Sequence, residues 1–133
     1  DENVEEHTSG SFLVRSILGG DPEDGGLALG AFPRVGQTLQ FQVRDKDVAD
    51  EELRRLCEDY QRSQGEPFAG LLFTCSGRGA RMFGVPNDDA GVIEDTFGKV
   101  PLAGFFCNGE IGPVGRTNFV HGFTASVALF MNP

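Results

Sequence analysis

Two stretches of the 133-residue chain repeat one layout of chemically capable residues. Ala69-Gly70-Leu71-Leu72-Phe73-Thr74-Cys75-Ser76-Gly77-Arg78 and Ala103-Gly104-Phe105-Phe106-Cys107-Asn108-Gly109-Glu110 each run from Ala-Gly through an apolar segment to a cysteine, a small polar residue, a glycine and a charge. The apolar segments predict strands, and the interval between them, roughly 30 residues with a short helix, is the length of a β-α-β unit. The strands are therefore expected to lie parallel, with Cys75–Gly79 and Cys107–Glu110 on one edge. Open α/β sheets bind ligands outside the carboxyl ends of their strands. Glycines there admit positive φ and let backbone N–H groups face an anion. Arg78 and Glu110 then offer one charge of each sign, as a zwitterion such as an amino acid requires: guanidinium to carboxylate and carboxylate to ammonium. The spacing fits a structural role equally, with Arg78 and Glu110 paired together or turned to water and the glycines serving only the turns.

The candidate ligand site thus gathers Cys75, Ser76, Gly77, Arg78, Gly79, Cys107, Asn108, Gly109 and Glu110, with His121 and Thr124 nearby. Cys75, Cys107, His121 and Glu110 also contain the types of a nucleophile, a base and an orienting carboxylate. Nothing local marks either thiol as activated, and cysteines at strand ends are usually small buried hydrophobes, so no catalytic residue is expected. A reversible Cys75–Cys107 disulfide stays open. Without Cys-x-x-Cys or His-x-x-x-His spacing, no metal and no cofactor is expected. His121 reads as a hydrogen-bonded core histidine or a ligand contact, and Cys57 as core.

The positioning elements follow from periodicity. Phe12–Leu18, closed by Gly19-Gly20, and Leu27–Phe32 predict an antiparallel hairpin around the turn Asp21–Gly26. Leu39, Phe41 and Val43 alternate with Gln40, Gln42 and Arg44, the period of a half-buried strand. Leu53, Leu56, Cys57 and Tyr60 form one apolar stripe of a helix over 47–64, capped by Asp47 and ended by Gly65 and Pro67. A second helix is expected over 88–97, with Val92, Ile93 and Phe97 inward and Gly98 as its stop. Pro113 marks a rigid surface loop, and one long strand is expected over about 118–131. Residues 1–11 read as a flexible acidic terminus and 12–131 as one domain. The class is α+β, a mixed sheet of about six strands with two helices and one parallel β-α-β crossover.

Composition narrows the partners. Twenty acidic against eleven basic residues, a formal charge of −9, oppose nucleic-acid and anionic-lipid binding, and only Lys46 and Lys99 are lysines. No apolar run approaches the roughly 18 residues of a membrane helix. Three widely spaced cysteines are not a secreted disulfide framework, which favours the cytoplasm.

Leu72–Gly79, Pro101–Pro113 and Asn118–Thr124, in that order, resemble the C-terminal domain of FIST (F-box and intracellular signal transduction) proteins. Phe12-Leu13-Val14-Arg15-Ser16-Ile17 and Arg44-Asp45 also fit, so the resemblance covers about residues 12–131. It implies an intracellular sensory domain for signal transduction, without catalytic activity, that binds an amino acid or a related small carboxylate. It equally admits a protein–protein interaction or substrate-recruitment domain, since eukaryotic members accompany an F-box. It also implies that the chain is the C-terminal part of a FIST protein, with the missing FIST N-terminal domain and a signalling protein as partners.

Overall fold

The computed structural model describes residues 12–132, so the expected acidic terminus 1–11 lies outside the described residues. The element order is β1 (Ile17–Gly20), β2 (Leu27–Leu29), α1 (Lys46–Gln64), β3 (Pro67–Cys75), α2 (Ala80–Phe83), α3 (Asp88–Phe97), β4 (Leu102–Cys107), β5 (Glu110–Val114), β6 (Thr117–His121) and β7 (Ala125–Met131). The α+β class and the parallel crossover are as expected. Among the described residues seven strands divide among three small sheets, β1-β2, β4-β3-β7 and β5-β6, rather than forming one.

The chain forms two compact units. One, Val43–Glu110 with Phe123–Pro133, carries the core. Helix α1 starts where Asp45, not Asp47, accepts from the Asp47 and Val48 amides at 2.9 and 3.2 Å, and it stops at Gly65, whose φ of 86° only glycine adopts easily. Of the expected stripe, Leu53 and Cys57 are buried while Leu56 and Tyr60 stay exposed. Helix α3 spans the expected residues, and its Val92, Ile93 and Phe97 meet Leu53, Cys57 and Leu72 in one cluster flanked by Leu102, Val127 and Leu129.

Strand β3 is central. It pairs parallel with β4, Cys75 opposite Cys107, and antiparallel with β7, Leu72 opposite Val127. The glycine of each repeated Ala-Gly lies inside a strand, tightly packed at Gly70 and indispensable at Gly104. A β-carbon on Gly70 would stand 3.1 Å from Leu102, and one on Gly104 only 1.7 Å from the Leu72 carbonyl oxygen. The expected long terminal strand is broken into β6 and β7, with Phe123 between them at a φ of 59°.

The other unit contains the described residues up to Gln42 and Ile111–Gly122. Strands β1 and β2 pair antiparallel as expected, although β1 is shorter than the Phe12–Leu18 run and β2 stops at Leu29. Pro113 lies in β5, not in a loop; its missing N–H is tolerated because the sheet has only two strands, both edges. Arg15 donates to the Val120 carbonyl at 2.9 Å, joining the two stretches of this unit. The expected strand at Leu39–Val43 does not form, and among the described residues no strand pairs with this segment. Alternation specifies a strand only where a neighbouring strand accepts it.

Substituting Gly104→Ala forces a β-carbon into the β3 backbone, which cannot yield as a side-chain tip can. A loss of about 3 kcal/mol or more is expected in urea denaturation, whereas Gly91→Ala, in open space on α3, is neutral or slightly stabilising.

Candidate functional site

The two strand ends are tied level by the backbone. The Ser76 amide donates to the Cys107 carbonyl at 2.8 Å and its hydroxyl to the same oxygen at 3.1 Å. The Cys75 amide donates to the Thr124 carbonyl at 3.0 Å, bringing the start of the last strand to the same edge. Arg78 N–H returns to the Cys75 carbonyl at 2.8 Å and closes the turn. Cys75, Ser76, Arg78, Cys107, Glu110 and Thr124 therefore lie at one edge of the sheet.

Arg78 is neither in water nor paired with Glu110. Its guanidinium is buried against Asp89 of α3, with Nη2 donating to Oδ1 at 2.6 Å and Nε to Oδ1 and Oδ2 at 3.2 and 3.1 Å. Thr74 Oγ1 donates to the second oxygen. The positive end of α3 adds to the stabilisation of that carboxylate. Thr74, Arg78 and Asp89 are 5, 6 and 5% exposed, and Phe83 lies 5.1 Å from the guanidinium carbon. Sequence reasoning missed Thr74 and Asp89. The available signal was an acidic first turn of α3, where one carboxylate serves the dipole and another can turn inward.

Glu110 is 1% exposed and has a different setting. Oε1 accepts from the Cys107 thiol at 3.3 Å and Oε2 from the Thr124 amide at 3.3 Å. The amide contact exceeds the usual 2.7–2.9 Å of an N–H donor to a charged oxygen, and a thiol is only a weak donor. Burial pushes the Cys107 thiol above its ordinary pKa, and its bond to Glu110 adds to the shift, while the Gly109 amide works the other way. That direction opposes thiolate formation and hence nucleophilic chemistry. All three cysteines are free.

Gly77 lies directly beneath Phe123, whose ring would be 2.2 Å from a β-carbon at position 77. The Arg44 guanidinium carbon stands 3.3 Å from the ring centroid, a stacked arrangement worth about 0.5–1 kcal/mol at an exposed site. Asn108 is exposed, and Gly79 leads into α2, accepting from Met82 N–H at 2.8 Å. His121 belongs to the other unit, where its Nε2 donates to the Gly112 carbonyl at 2.9 Å. Among the described residues, no group of three or more His, Cys, Asp or Glu side chains is placed to hold a metal ion, and no helix is long and apolar enough to cross a membrane.

Comparison with known proteins accords with these motifs: residues 3–113 match the FIST C domain family. The chain belongs to that family. FIST C domains are associated with signal transduction. An uncharacterised protein of Mycobacterium tuberculosis strain H37Rv is 53% identical over 133 residues, which are 99% of this chain and 35% of that protein. A Mycobacterium bovis protein, also uncharacterised, is 49% identical over 99% of the chain and 34% of its own length. An F-box/LRR-repeat protein of Arabidopsis thaliana is 31% identical over 77% of the chain and 20% of its own length. The chain thus spans about a third of the length of the mycobacterial relatives it matches.

Two outcomes follow from the geometry. Asp89→Asn leaves a buried guanidinium without its counter-charge and should cost about 3–5 kcal/mol in urea denaturation, most of it recovered when Arg78→Met and Asp89→Leu are combined. Iodoacetamide at pH 8 should label Cys107 severalfold more slowly than a cysteine in an unstructured peptide, and Glu110→Gln should speed labelling by removing the carboxylate that holds the thiol proton.

Proposed function

We propose that this FIST C domain is a cytoplasmic, non-catalytic sensory module whose strand-end site recognises a small amino-acid-like ligand through its ammonium group. The observation that carries the reading is Glu110: a buried carboxylate with one weak thiol donor and one long amide contact, and with acceptor positions left over. A primary amine supplies the short, charged hydrogen bonds that this carboxylate lacks. Because Asp89 already engages Arg78, Arg78 shapes the Gly77 loop, and the carboxylate end of a ligand meets backbone N–H groups of the glycine turns. Occupancy then alters how the strand ends and the Phe123 segment sit, which a signalling partner reads.

A second reading, a protein-interaction or substrate-recruitment domain without a small ligand, is favoured by Phe105 and Phe106, which are 64 and 53% exposed on the edge strand β4. The resemblance to an F-box/LRR-repeat protein points the same way.

Thermal unfolding in the presence of amino acids, simple amines and small carboxylates separates the two. Dose-dependent stabilisation by an amine-bearing compound is expected, about 2.7 kcal/mol at a hundredfold excess over Kd, and Glu110→Gln should abolish it while the unliganded protein still folds. A carboxylate-only ligand that stabilises as well, or no stabilisation by any compound, would sink the ammonium reading and leave the interaction surface.

A further inference from the structure

Phe123 holds a backbone conformation that a bulky side chain rarely adopts, at a φ of 59°. Such strain persists only where the surroundings over-determine it, and it clusters at ligand sites. Here it does not serve the hydrophobic core, because Phe123 lies outside the buried cluster and is 37% exposed. What the conformation does is pack the ring against Gly77. A β-carbon there would meet the ring at 2.2 Å, so position 77 is kept bare for it. The ring in turn carries the Arg44 guanidinium, whose carbon stands 3.3 Å from the centroid.

A guanidinium is a planar fork of five N–H donors. At that separation it lies flat on the ring, so the donors, which lie in its own plane, are left clear by the stacking. Among the described residues, none of them has a hydrogen-bond acceptor or an ion-pair partner. The neighbouring Asp45 does not supply one, because its carboxylate caps α1 by accepting from the Asp47 and Val48 amides. In the same unit the arginines of α1 and of the loop after β3 (Arg54, Arg55, Arg62 and Arg78) each face a carboxylate.

The stack belongs to the strand-end site. The residue after the ring, Thr124, offers its amide to Glu110 at 3.3 Å, and Gly77 lies in the turn that the Arg78 amide closes. All of these residues are in the unit that carries the core. One side chain and one peptide bond separate the contact to Arg44 from the contact to Glu110, so the two charges stand within roughly 13 Å of each other. An amino acid with a charge-assisted hydrogen bond of about 2.8 Å at each end reaches across a span of this order. Glu110 is buried and Arg44 exposed.

We infer that Arg44 binds the carboxylate of the ligand, which is therefore a zwitterionic amino acid held with its ammonium at the buried Glu110 and its carboxylate at the exposed, ring-stacked guanidinium. The inference rests on the Glu110 reading for the ammonium end and makes its own claim at the other. The role that the repeated layout gave to Arg78, which Asp89 occupies, passes to Arg44. Stacking preorganises the fork, so less side-chain freedom is lost when a carboxylate arrives.

Thermal-shift titration with matched probes tests it: the common amino acids, their carboxamides, which keep the ammonium and lose the carboxylate, and their N-acetyl derivatives, which do the reverse. The amino acid that stabilises the chain most should bind at least about tenfold more tightly than its amide. Arg44→Gln should lower its affinity to that of the amide without weakening the amide, and the far-UV circular dichroism of the unliganded chain should stay as in the wild type. Arg44→Lys, which keeps the charge but not the fork, should recover only part of the loss. An amide that binds as tightly as its amino acid, or amino-acid binding untouched by Arg44→Gln, would overturn the inference and leave the Glu110 reading standing. Binding of N-acetyl derivatives alone, lost in Arg44→Gln, would support Arg44 and sink the ammonium reading. Stabilisation by no probe would overturn both.

Discussion

Asp89 brings the carboxylate of a helix beneath the hydroxyl of a strand and the guanidinium of the following loop, so that three elements converge on two oxygen atoms. Each of the three side chains is expensive to bury alone and acceptable only with the others in place. The loop after β3 can therefore close in one way. Arg78 is drawn inward, Gly77 is left under the Phe123 ring, and Ser76 is held at the end of β4. Removal of the charge at Asp89 frees the Arg78 side of the loop, while the Ser76 amide and hydroxyl still tie its start to Cys107.

The two buried carboxylates of this unit make an instructive pair. Asp89 faces a guanidinium, a hydroxyl and the positive end of a helix, a full complement of strong donors. Glu110, buried to the same degree, faces a thiol and one amide. Burial without strong partners is costly, and positions that retain it are commonly functional. The asymmetry also explains why Cys107 is a poor candidate nucleophile although it sits at a strand end among polar groups. Its neighbour takes the thiol proton as a hydrogen bond and opposes its loss.

Much of this arrangement was legible in the residues. The helices over 47–64 and 88–97 follow from apolar spacing with glycine stops, and the repeated Ala-Gly to Cys layout located the parallel pair and its level ends. The partner of Arg78 was not legible, because its charge matches many carboxylates in an acidic chain and only the crossover selects Asp89. The break at Phe123 was hidden by alternation that continues on both sides of it, with nothing in a phenylalanine to announce a positive φ. Leu39–Val43 is the reverse case. The strand pattern is real, but a strand needs a neighbour, and no described residue supplies one.

The central place of β3 has a consequence for how the chain emerges from the ribosome. One neighbour, β4, is about thirty residues downstream, but the other, β7, ends at Met131. Until β7 is released, the central strand of that sheet has one edge open and its helix-covered face lacks Val127 and Leu129. Such long-range closure is slow and exposes a nascent chain to wrong pairings. The apolar face completed last is therefore the one on which a chaperone acting during synthesis has the most time to act.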